Sequence, residues 1–156
     1  MKWLILLTGL FAASVFAQVP DPTMTPGVAN PDVAQDNIKT TICKSGWTAT
    51  IRPPASYTTA LKKRQIPMYG YADTNPASYE EDHFISLEIG GHPSDPHNLW
   101  PQPYAGSCGA RVKDKVETRL KKLICNGTIT LAEAQTAITD DWTAAYQKYV
   151  NPKGCK

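Results

Sequence analysis

Asp82-His83, Gly90-Gly91 and Asn98 fall within one short stretch, Tyr79 to Tyr104, and are the residues best suited to chemistry. An imidazole can take a proton from water near neutral pH. A neighbouring carboxylate offers hard oxygen to a divalent cation. The same stretch holds Glu80, Glu81, Glu88 and all three histidines, His83, His92 and His97, while Lys and Arg are absent from Gly70 to Ser107. Basic clusters lie on both sides: Lys39 to Arg64 carries six Lys/Arg and no acid, and Arg111 to Lys122 carries six more against Asp114 and Glu117. Basic clusters are usually solvated faces. Two of them around an acidic, His-bearing centre also suit a polyanion held about a bound cation.

Elements must position these groups. Asp82 to Glu88 reads as a strand, Gly90-Gly91 as its turn, and His97 to Trp100 as the return strand, ended by Pro101 and Pro103. Neighbours on a regular strand point to opposite faces, so Asp82 and His83 can share one site only at a strand end or bulge. Ala110 to Cys125 reads as a helix, with Val112, Val116, Leu120 and Leu123 as its apolar stripe and Asn126-Gly127 as its stop. Thr130 and Glu133 form a capping box for a last helix, which buries Leu131, Ala134, Ile138, Trp142 and Tyr146 and ends at Asn151-Pro152. Upstream, Asn30-Pro31 opens a short helix to about Thr40, Trp47 to Arg52 alternates as a strand, and Ser56 caps a helix over Tyr57 to Gln65. Trp100 is expected to anchor the core beneath the hairpin.

Length and cysteine usage bound the rest. The chain has 156 residues, enough for one domain with a modest core. Lys2 followed by the apolar run Trp3 to Phe16 and small residues at Ala17 predicts a signal peptide over residues 1–17. Residues 18–35 then form an extended, poorly ordered lead-in, and 36–156 the functional domain. The expected product is secreted, with no membrane span. Four cysteines in an exported chain predict two disulfides with three possible connectivities. Cys43–Cys125 with Cys108–Cys155 is preferred, because the second pair would tie the tail beside the loop that follows the site.

The stretches EEDHFISLEIGG and DPHNLW, the following ARVKDKVE, and ICKSGW and RPPASYT upstream resemble small exported bacterial proteins of the HNH nuclease family. The resemblance implies an α+β fold, a ββα-metal (HNH-type) finger embedded in a small, mostly helical, disulfide-containing domain. It implies a secreted endonuclease that hydrolyses phosphodiester bonds in DNA, with RNA as a further substrate and little base specificity. His83 would be the general base, Asp82 a metal ligand, and Asn98 the residue that fastens the loop and orients the base. One divalent ion is implied, Mg2+ first, with Mn2+ or Zn2+ as alternatives. Nucleic acid is the expected partner, with no membrane and no protein partner inferred.

The family's third position carries His or Asn and here falls at Arg111, which cannot bind a metal. Asp114, one turn on, is either the replacement ligand or an exposed residue favoured near a helix start. Arg111 and Lys113 would clamp substrate phosphate. Glu88 would orient Asp82 or His83 from behind, or stand exposed on its strand. Glu80, Glu81 and Asp82 favour imidazolium at His83, and a bound cation would offset that field. Two other readings stand beside the nuclease: a catalytically inactive secreted binding module on the same scaffold, and a structural zinc protein using His83, His92 and His97.

Overall fold

Apolar residues repeating at helical spacing drive the last third of the chain into two packed helices. In the computed structural model, which describes residues 19–155, these are α3 (Ala110–Cys125) and α4 (Leu131–Tyr149). They follow α1 (Trp47–Ile51), α2 (Ala55–Met68), β1 (Tyr79–His83) and β2 (Leu99–Pro103). The expected signal peptide lies outside the described residues. Val116, Leu120 and Ile124 of α3 meet Leu131, Ala134, Ile138, Trp142 and Tyr146 of α4 in one core, with Trp100 and Ile42 fully enclosed among them. Thr130 and Glu133 close a reciprocal capping box at the start of α4, as the sequence predicts. Asp141 breaks that helix with extended backbone and restarts it, its Oδ1 accepting from the Thr143 and Ala144 amides.

The sheet among the described residues is a single antiparallel pair, with His83 opposite Leu99, Asp82 opposite Trp100 and Glu80 opposite Gln102. β1 therefore ends at His83, shorter than the predicted Asp82 to Glu88 strand, and Leu87–Ile89 forms a 3₁₀ turn. β2 starts later than predicted and runs through Pro101 and Pro103. Two prolines at alternate positions place their missing N–H groups on the side away from β1, where no ladder bond is needed. The mixed α+β class and both disulfides, Cys43–Cys125 and Cys108–Cys155, agree with expectation.

Upstream of the hairpin the local reading fails in four places. Trp47 to Arg52 is not a strand: Gly46, at φ 80°, turns the chain into helix α1, and Arg52 N–H donates to the Thr48 carbonyl. A β-favouring pentapeptide with no strand beside it has no ladder to join. Asn30 to Thr40 forms a chain of turns instead of a helix. Ser56 does not cap α2, which begins behind Pro54 and continues to Met68. The segment expected to be loose is stitched to the central loop: Ala29 bridges Gly91, Gly27 N–H donates to the His97 carbonyl and Asn30 N–H to the Gly90 carbonyl. Thr25 and Asn30 are buried there. Polar, Pro-rich composition signals disorder only when no tertiary partner exists.

Candidate functional site

The loop between the strands is built around Asn98, whose side chain is wholly buried. Its Oδ1 accepts from the Ile85 amide at 2.9 Å and the Val28 amide at 3.2 Å. Its Nδ2 donates to the Ile85 carbonyl at 3.0 Å and the His92 carbonyl at 2.9 Å. Both ends of the amide are thus used to bind both limbs of the loop and the upstream segment. Gly91 completes the closure, because a Cβ there would lie 1.6 Å from the Ile85 carbonyl oxygen. Gly91→Ala is expected to cost about 3 kcal/mol or more by forcing the loop open, read as a lower urea midpoint. An unchanged midpoint would show that the loop has slack.

Asn98 holds the His92 carbonyl, and the next carbonyl, that of Pro93, lies 2.8 Å from His83 Nε2. A carbonyl only accepts, so Nε2 carries the hydrogen and Nδ1 keeps its lone pair. Among the described residues Nδ1 has no hydrogen-bond partner, and it is not among the fully enclosed polar atoms. Burial pushes the His83 imidazole down to about 4; the Pro93 contact and Glu117 oppose this, while the charges of Arg52 and Lys113 add to it. The ring is neutral at physiological pH without a metal ion, which corrects the expectation that Glu80, Glu81 and Asp82 would favour imidazolium. Those acids carry less charge than the sequence suggests: burial raises Glu80 to about 7 and Glu81 to about 8.

Asp82, at the penultimate position of β1, points to α3. Its Oδ2 accepts from Lys113 Nζ at 2.7 Å, and the same ammonium donates to Glu117 Oε1 and, at 2.8 Å, to the backbone carbonyl of His83. Lys113 is fully buried, so it is not the exposed phosphate clamp that the sequence reading makes of it. Burial works against its charge, but Asp82 and Glu117 outweigh that and hold the ammonium above the ordinary lysine range. Desolvation in turn keeps both acids above their usual values, against the pull of the one cation they share. Helical spacing contains the missed signal. Positions 113, 116, 117, 120 and 124 lie on one face of α3, so Lys113 and Glu117 fall inside the apolar stripe.

These contacts test the implied divalent ion. Asp82 is already engaged by an internal cation, and no group of three or more His, Cys, Asp or Glu among the described residues is arranged to hold a metal. The donor set as folded does not fit an ion at Asp82. Asp114 is exposed on α3, its charge near enough to help raise the pKa of Asp82, but it makes no bond to it. Glu88 pairs with Thr118 and Lys121 of α3 at 3.2 and 3.4 Å, and so does not orient Asp82 or His83. Arg111 is exposed, with its guanidinium 5.5 Å from the centre of the Tyr104 ring.

His92 and His97 each turn inward on their own loop. His92 Nδ1 accepts from the Asp95 amide at 3.0 Å, and His97 Nδ1 lies 3.0 Å from Asp95 Oδ1. His92 and His97 thus share Asp95 as a partner, while His83 is held apart by the Pro93 carbonyl. A functional candidate absent from the sequence reading is Arg52, exposed at the end of α1 and the foremost cation acting on His83. The Tyr57 hydroxyl, on the first turn of α2, donates to the Ser94 carbonyl, next to the Pro93 that holds His83. That bond brings the α1–α2 corner to the site. The only hint in the sequence is that Arg52 belongs to the basic cluster ahead of the hairpin.

Comparison with known proteins gives no match to a family model, to a curated protein or to a solved structure.

Proposed function

We propose that the chain is a phosphodiesterase, and within that class an HNH-type endonuclease that acts after secretion on DNA, with RNA as a further substrate. The observation that carries this is the state of His83: neutral, fixed through Nε2, with an unpaired Nδ1 available to a water molecule. Nδ1 takes the water's proton as its oxygen bonds to phosphorus; one P–O ester bond breaks, and the departing sugar oxygen takes a proton from solvent. The exposed guanidinium of Arg52 meets the phosphoryl oxygens. The order strand, loop, strand, helix supports the finger reading, and two disulfides suit an oxidising compartment. No described helix is long and apolar enough to cross a membrane.

The test is plasmid nicking by the disulfide-intact chain, with and without added Mg2+ or Mn2+, beside His83→Ala. The variant is expected to lose about 10²- to 10⁴-fold in rate. For the wild type the rate should rise as pH passes through about 4, where the imidazole loses its proton, and stay level from there through neutrality. Equal rates in wild type and His83→Ala would remove His83 from the chemistry. A second reading, a catalytically silent binding module, is favoured by one observation: Asp82 is occupied by Lys113. Folded wild-type protein that cleaves nothing under any of these metal conditions selects that reading.

A further inference from the structure

The Lys113 ammonium sits where three oxygens converge: Asp82 Oδ2 at 2.7 Å, the His83 carbonyl at 2.8 Å, and Glu117 Oε1. All three are the hard oxygen donors that divalent cations take. They come from both elements that frame the site, the end of β1 and the middle of α3. The side chain is completely shielded, so its charge faces these donors and not solvent. A lysine would be a costly choice if its task were only to fill space between strand and helix. Its placement makes sense as a countercharge for two acids that would otherwise repel each other in the interior.

We propose that Asp82, Glu117 and the His83 carbonyl form a cation seat that the chain fills with its own Lys113, in the place where a divalent ion would otherwise join β1 to α3. The seat stands on geometry alone. Its bearing on catalysis, that Lys113 clamps the backbone of the residue carrying the base, rests on the nuclease reading above. The inference makes two demands. Wild-type protein takes no divalent ion at Asp82, and emptying the seat creates a site for one. Removal of the four-carbon stem and its ammonium would leave two carboxylates and a carbonyl about a vacated centre, and the space would admit waters to complete a coordination shell.

The experiment titrates Mn2+ into the disulfide-intact full chain and follows free Mn2+ by electron paramagnetic resonance, beside melting curves with and without the ion. Wild type and Asp82→Asn should be alike, with no stoichiometric Mn2+ and no change in melting temperature on adding it. Lys113→Ala should melt lower than wild type, bind one Mn2+ per chain at least tenfold more tightly than wild type, and recover part of its lost stability with the ion. Lys113→Ala combined with Asp82→Asn should lose that binding. One Mn2+ per wild-type chain, abolished by Asp82→Asn, would overturn the proposal, and this arm decides even where Lys113→Ala fails to fold. A folded Lys113→Ala that ignores Mn2+ would overturn it equally. Metal binding is read without cleavage, so absence of nuclease activity alone would sink the functional reading and leave the seat intact.

Discussion

Asn98→Ala is expected to be the most damaging single truncation in the hairpin, lowering stability by about 4–6 kcal/mol. The side chain makes four hydrogen bonds, two as acceptor and two as donor, from a position with no exposure. Alanine would strand the Val28 and Ile85 amides and the Ile85 and His92 carbonyls that Asn98 now pairs. Each stranded group costs about 1–3 kcal/mol, and water entering the vacated space recovers only part. A loss of this size is a large fraction of the whole stability of a small domain, roughly 5–15 kcal/mol. The loop carrying Pro93 would loosen with it, so the His83 tautomer would no longer be held; on the proposed nuclease reading, cleavage should then fall in the fraction that remains folded. Urea unfolding of wild type and variant measures the first effect. A difference below about 1 kcal/mol would mean that the loop is held by something other than this amide.

Glu81→Gln is expected to do the opposite and stabilise the protein at alkaline pH. Glu81 is largely buried in the middle of β1, and neither carboxyl oxygen has a hydrogen-bond partner. Desolvation raises it to about 8, against the attraction of Lys62, and Asp82 adds to the rise. A folded-state value above the unfolded one means that the native chain holds this proton more tightly. The associated stability is fully present below the unfolded value, drains away as pH climbs towards about 8, and is gone above it. Glutamine carries no such proton. The variant should match wild type near pH 4 and exceed it above pH 8 by about 3 kcal/mol, once partial exposure is allowed for. Glu80, raised to about 7 by burial and by its acidic neighbours, acts in the same sense but is more exposed to Lys113. Unfolding curves at pH 4, 6.5 and 9 provide the check. Parallel wild-type and variant profiles would show that Glu81 reaches solvent and has an ordinary acidity.

These effects bear on how the site works. A pair of half-neutral glutamates, an internal ammonium at Asp82 and a dehydrated imidazole keep the hairpin far less charged than its string of acids suggests. On the proposed nuclease reading, an anionic backbone would approach such a surface without the repulsion that Glu80, Glu81 and Asp82 would exert if all were ionised. Arg52 then supplies positive charge on the side of the His83 ring.

Local patterns were sufficient for α3, for most of α4 and for the capping box at Thr130; the Asn98 anchor came from the family resemblance, and the disulfide pairing was a choice among three connectivities. A helix of that length states its own apolar period. Tertiary structure alone decided α1, which lacked a strand to pair with, and the docking of residues 19–35, whose hydrogen bonds go to a loop some seventy residues away. It also decided where charge resides. Helical spacing puts Lys113 and Glu117 inside the apolar stripe of α3 but not in contact with Asp82, and linear order leaves Arg52 one basic residue among six, because a sequence lists ionisable groups without their partners or solvation. Burial against β1 turned the first two into an enclosed pair, and the bond from Tyr57 to Ser94 carried the α1–α2 corner, Arg52 included, to the imidazole. The free energy of a charge depends on the distances and the dielectric around it, and those exist only once the chain has closed on itself.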